Sequence, residues 1–190
     1  MAERPRRIIG IIGAVGSGKD TCGDYLCKNH KFQKTAFAKK VKDVASVVFG
    51  WDRTMMEGVT PASREWREKI DPYWGISPRQ AMQKIGTDMF RAHIDEAIWV
   101  KAVINEINAN PAADYVVTDC RFENEIAALK SLGAHIIYIE RFAPSSSQTT
   151  MHISDTNSYT LAALADTKIR NDGTLEEFYK AIDTLLLTLL

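Results

Sequence analysis

Hydrophobic positions recur along this chain in two alternating rhythms. Residues 7–12 hold Ile8, Ile9, Ile11 and Ile12 with only Gly10 between, an apolar run that reads as a strand buried on both faces. Further strands are expected at residues 32–37, 115–119, 134–139 and 165–171. Between them the period lengthens to that of a helix. Residues 19–29 predict the first helix, and Val41, Val44, Ala45 and Val48 define a second over 38–49 that stops at Gly50. Ser77-Pro78-Arg79-Gln80 opens a third with a capping box and a proline in its first turn, and it runs through Ala81, Met82, Ile85, Met89 and Phe90. A fourth starts near Asp95 and carries Ile98, Val100, Val103, Ile104 and Ile107, ending at Asn110-Pro111. A fifth carries Ile126, Ala127, Leu129 and Leu132. The last follows the capping box Thr174-Leu175-Glu176-Glu177 and carries Phe178, Ile182, Leu185, Leu186 and Leu189.

Two stretches break the rhythm. Residues 51–76 combine prolines with Trp51, Trp66 and Trp74 and are expected to form an insertion beside a site. Residues 142–160 are rich in Ser and Thr, include His152 and Asp155, and read as a lid. Strand and helix otherwise alternate. This predicts one α/β domain over residues 1–190: a three-layer sandwich whose parallel five-stranded sheet carries helices on both faces.

Composition narrows the picture. At 190 residues the chain suits one such domain. Lys and Arg number 24 and so do Asp and Glu, so no global basic field points to a nucleic acid polymer. No apolar stretch reaches the roughly 18 residues of a membrane span. Cys22, Cys27 and Cys120 show neither C-x-x-C spacing nor a pattern of histidines at zinc spacing, so they suit a reducing compartment and a cytoplasmic location.

The chemistry concentrates in Gly13-Ala14-Val15-Gly16-Ser17-Gly18-Lys19-Asp20-Thr21. A buried strand precedes this stretch and a helix follows it, the context of a phosphate-binding P-loop. Its glycines bring backbone N–H groups close to an anion at a helix N-terminus, and Lys19 reaches outer phosphates. Asp20 departs from the pattern, standing where a hydroxyl normally meets Mg²⁺; it is expected on the metal side, with Thr21 next. In a parallel sheet, ligands gather at the carboxyl ends of the strands. Asp119, Arg121, Arg141 and Asn171 all follow such ends. Arg79, Gln83 and Gly86 are spaced to share one helical face, and Gly86 costs roughly 1 kcal/mol in a helix, which suggests close packing or a ligand. A lysine of the 38–49 helix, such as Lys42, is a candidate for a substrate phosphate. Arg64 is either such a candidate or part of a solvated face.

These stretches together resemble the deoxynucleoside monophosphate kinases of large tailed bacteriophages. The resemblance is carried by Gly16-Ser17-Gly18-Lys19-Asp20-Thr21, Phe37-Ala38 with Lys42, Ser77-Pro78-Arg79-Gln80 with Gln83 and Gly86-Thr87, and Ile98-Trp99-Val100. It continues through Asp119-Cys120-Arg121-Phe122-Glu123-Asn124-Glu125, His152-Ile153-Ser154-Asp155 and Ile169 with Asn171-Asp172-Gly173-Thr174. Lys39, where an acidic residue is usual, and an arginine-poor lid depart from the family pattern.

The resemblance implies ATP-dependent phosphorylation of deoxynucleoside 5′-monophosphates with Mg²⁺, in the host cytoplasm for a viral chain, and a homodimer. It implies that the loop from Gly13 to Thr21 and Asn171 bind ATP, and that Lys19, Arg121 and Arg141 act on the transferring group. Lys42, Arg64, Arg79, Gln83 and Trp99 would hold the acceptor, with Asp20 and Asp119 on the metal side. Competing readings are a kinase of another small acceptor, of the dephospho-coenzyme A or phosphomevalonate type, a nucleotide-hydrolysing switch, and a non-catalytic nucleotide-binding module. The switch lacks its Asn-Lys-x-Asp motif.

Overall fold

The computed structural model describes residues 6–141 and 160–189. The expected lid, with His152 and Asp155, lies outside the described residues apart from Thr160. The chain divides into two compact units, one formed by residues 1–36 and 104–190 and the other by 37–103. The second unit is wider than the insertion expected over 51–76.

The first unit is built on a parallel sheet of five strands: β1 (Ile8–Ile12), β2 (Gln33–Thr35), β3 (Tyr115–Val117), β4 (His135–Glu140) and β5 (Thr167–Arg170). Their order across the sheet is β2-β3-β1-β4-β5, with Gly10 opposite both Val117 and Ile136. The sequence placed all five strands, and the ends shorten at β2 because Phe37 turns inward and starts a helix. Helices α1 (Lys19–His30), α7 (Glu123–Ser131) and α8 (Leu175–Thr188) belong to this unit.

Its core gathers Ile9, Ile11, Leu26, Val116, Ile137, Ile139, Phe178 and Ile182, all essentially inaccessible to solvent. Leu185 and Leu186 join the same core and Leu187 is 71% exposed, so the leucine-rich terminus is chiefly a packing face. Asp114 ties the start of β1 to the sheet, accepting hydrogen bonds from the Arg7 backbone at 2.7 Å and from its guanidinium at 2.8 and 3.0 Å.

The second unit starts with α2 (Phe37–Phe49), a 3₁₀ turn at Met55–Glu57 and α3 (Pro61–Glu68). Then α4 (Pro78–Gln83) continues through a wider π-helical segment, Lys84–Met89, into the short α5 (Phe90–His93). Next comes α6 (Ile98–Ala109), whose first residues, through Val103, belong to this unit. Val41 and Ala45 of α2 share a core with Trp51, Met56, Ala81, Ile85 and Trp99. That shared core is why the unit begins at Phe37, well before Trp51. The capping boxes at Ser77 and Gln80 and at Thr174 and Glu177 form as expected, and Thr60 with Ser63 makes a further one at α3.

Candidate active site

The loop after β1 folds because its glycines accept what other residues resist. Gly18 caps α1 at φ 103°, and a Cβ there would stand 2.5 Å from the Asn171 amide nitrogen. At Gly13 a Cβ would meet the Ile139 carbonyl oxygen at 2.7 Å. The turn is thus pressed against the ends of β4 and β5. Asn171 braces it directly, its side-chain N–H donating to the Ser17 carbonyl at 2.8 Å. Arg141, exposed at the end of β4, points its guanidinium at the Gly16 carbonyl, 3.5 Å away. Val15 stands out at the tip, and the Ser17 hydroxyl is buried with no hydrogen-bond partner. Lys19 folds back over the loop and donates to the carbonyls of Gly13 and Ala14 at 2.6 Å each. Its ammonium therefore already spans the concave side of the loop, where an outer phosphate would displace these carbonyls as acceptor.

On the other flank β3 hands over to Thr118-Asp119-Cys120. A Cβ on Gly23 of α1 would meet the Thr118 methyl at 2.5 Å, so this glycine lets the helix lie close on the β3 end. Asp119 emerges there half-buried. Arg121 follows it at the surface, and the turn is held by Glu125, a buried carboxylate that accepts from the backbone N–H groups of Arg121 and Phe122 at 2.7 and 3.1 Å. Burial drives the Cys120 thiol well above its ordinary range, with Asp119 and Glu125 adding to the effect, so it is an inert packing group here.

Asp20 is 82% exposed and its carboxylate lies 3.0 Å from the Lys34 ammonium of β2, which also holds Asp24 at 2.9 Å. Sequence reasoning missed Lys34. The available signal was the pair Asp20 and Asp24, one helical turn apart on α1.

The acceptor-side candidates all lie in the second unit. Lys42 pairs with Glu57, and Arg53, which had not been singled out, bonds Glu57 and Asp43. Burial pushes the Glu57 carboxyl up, but hydrogen bonds and charge from Lys42 and Arg53 outweigh it and hold the group below its ordinary value. Arg64 donates to the backbone carbonyls of Gly58 and Val59 at 2.9 and 3.2 Å, fastening the turn before α3. Arg79 pairs with Glu68 at 3.2 Å, both side chains about half exposed, a contact too weak to bar another anion. Gln83 lies exposed one turn further along α4. Gly86 does not continue that face, because the π-helical segment shifts the register after Gln83. Trp99 is 4% exposed, and its indole N–H donates to the Gly86 carbonyl at 2.8 Å, so it packs the unit and satisfies the wide turn.

A strand–loop–helix with these positive-φ glycines, set at the carboxyl ends of a 2-3-1-4-5 parallel sheet, defines a P-loop protein. The fold agrees with solved small-molecule kinases: shikimate kinase from Aquifex aeolicus superposes with a TM-score of 0.56 at 17% identity, covering 95% of this chain and 96% of that one. The particular family follows from sequence. The deoxynucleotide monophosphate kinase family model matches residues 62–182. A protein of that name from Escherichia phage RB69 is 34% identical, over 94% of this chain and 99% of its own. One of the same family name from Acanthamoeba polyphaga mimivirus is 30% identical, over 92% and 93%. The chain belongs to the deoxynucleotide monophosphate kinase family.

Proposed function

We propose that this protein transfers the γ-phosphoryl group of ATP to a deoxynucleoside 5′-monophosphate, giving ADP and the deoxynucleoside diphosphate. The observation that carries the reading is Lys19 lying across the loop, its ammonium 2.6 Å from two loop carbonyls, at the start of a helix whose first N–H groups lack intrahelical partners. A phosphate there exchanges a carbonyl for a charged acceptor and gains the N–H nest at the same time.

Such a transfer needs little covalent help from the protein; positioning and charge neutralisation suffice. In this reading Lys19 neutralises the β- and γ-phosphates, and Arg141 and Arg121 take up charge on the transferring group. Asn171 keeps the loop in shape from behind. Lys42, Arg64, Arg79 and Gln83 are the acceptor contacts. No general base is needed, because the acceptor phosphate is already an anion at neutral pH. Hard carboxylate oxygens suit Mg²⁺, which takes one or two carboxylates beside substrate phosphates, so Asp119 is the residue to hold it. When bound, the ion would supply charge neutralisation at the phosphates.

The test is ADP formation from ATP and Mg²⁺ with each of dAMP, dGMP, dCMP and dTMP, their ribose counterparts, and a blank without acceptor. Turnover above the blank is expected with deoxynucleotide acceptors and is expected to vanish in Lys19→Ala. Turnover no greater than the blank with every acceptor would overturn the reading.

A further inference from the structure

The carboxylate of Asp20 is a liability beside a polyphosphate. It sits on the second residue of α1, near the N–H groups that an anionic ligand would use, and its own charge both competes for them and repels the ligand. The chain answers it from another element. Lys34 of β2, at the edge of the sheet, reaches α1 with its stem lying over Gly23, where a Cβ would come within 3.6 Å of it. Its ammonium contacts Asp20 at 3.0 Å and Asp24 at 2.9 Å, and its side chain is only 33% exposed. Both carboxylates raise its proton affinity against the opposing effect of burial, so it stays charged. The two cations at the loop itself are engaged elsewhere: Lys19 on the carbonyls of Gly13 and Ala14, Arg141 at that of Gly16.

We propose that Lys34 is a positioning residue for the nucleotide: it draws the Asp20 carboxylate towards the β2 side of the loop and cancels its charge, leaving the start of α1 to the phosphates. This inference rests on the loop being the ATP site. It also reassigns Asp20, which becomes a neutralised neighbour of the phosphates instead of a metal-side group.

Calorimetric titration of ATP, once in EDTA and once with excess Mg²⁺, tests it on the parent chain, Lys34→Met, Lys34→Arg, Asp20→Asn and the double variant Lys34→Met with Asp20→Asn. Methionine keeps the stem over Gly23 and removes the charge; Lys34→Gln is a second neutral variant, and thermal melting checks that each is folded. Lys34→Met is expected to weaken metal-free ATP binding about three- to tenfold, the size expected of one partly screened charge. The double variant is expected to recover to within about twofold of the parent, since the charge needing compensation is gone. Lys34→Arg should bind like the parent.

A double variant as weak as Lys34→Met would mean that Lys34 acts on the nucleotide or the fold by itself, and would overturn the inference. So would an Asp20→Asn variant that loses affinity only in the presence of Mg²⁺, the mark of a metal ligand. Parent-like binding by Lys34→Met overturns this inference alone. A parent chain that binds no ATP overturns the nucleotide reading and this inference with it.

Discussion

At the scale of single residues, the phosphate loop is set by what its glycines touch. Gly16 has φ 79° with open space around it, so an added methyl meets only backbone strain. Gly18 has φ 103° and the Asn171 amide 2.5 Å from where a Cβ would be, so strain and collision coincide. Gly18→Ala is therefore expected to cost about 2 kcal/mol of stability and at least tenfold in ATP affinity, and Gly16→Ala about 1 kcal/mol. Urea denaturation beside ATP titration checks both; equal losses in the two variants would show that the Asn171 brace is not rigid. The glycine spacing and Lys19 were legible in the sequence because a phosphate loop is local chemistry. The brace was not, since Asn171 and Ser17 are 154 residues apart and meet only through strand order.

At the scale of elements, capping signals translated well because they act within one turn. Ser77 with Gln80 and Thr174 with Glu177 start their helices as their side chains dictate. The wide segment Lys84–Met89 left no such local mark, and it changes the meaning of Gly86. That glycine was expected to answer a close contact, yet a Cβ there would meet Val41 only at 3.6 Å, an ordinary packing distance. Gly86→Ala is thus expected to be stabilising by about 0.5–1 kcal/mol, from reduced backbone freedom in the unfolded chain. Differential scanning calorimetry measures this. A raised KM for the acceptor in the same variant would show that a ligand approaches Gly86. Trp99 follows the same logic: the family resemblance named it for the acceptor, and only the packing of the second unit reveals that its N–H satisfies the Gly86 carbonyl.

At the scale of the whole molecule, stability is coupled to pH through its buried thiols. Burial lifts Cys22 from its ordinary 9.0 to about 12, and Cys120 is raised as well. Once the pH exceeds 9.0, the unfolded chain releases thiol protons that the folded chain retains. The stability tied to this difference is complete below pH 9.0 and is lost as the pH climbs towards about 12. Urea midpoints measured from pH 8 to 11 are expected to fall more steeply in the parent chain than in Cys22→Ala. Parallel slopes would mean that the Cys22 site admits water. Among the described residues no helix is long and apolar enough to cross a membrane.

What the sequence determined by itself was everything carried by short-range pattern: the buried strands, the alternation with helices, the capped helix starts, and a loop whose residue types suit phosphate. Periodicity and turn chemistry act over a few residues, so they survive in a one-dimensional reading. The tertiary structure alone decided where charges meet. Lys34 answers Asp20 because β2 lies at the sheet edge beside α1, and Lys42 and Arg53 share Glu57 because α2 and the turn at Met55–Glu57 belong to one unit. It also decided that the second unit begins at Phe37, because a core is defined by which apolar faces close on each other, and composition along the chain does not record that.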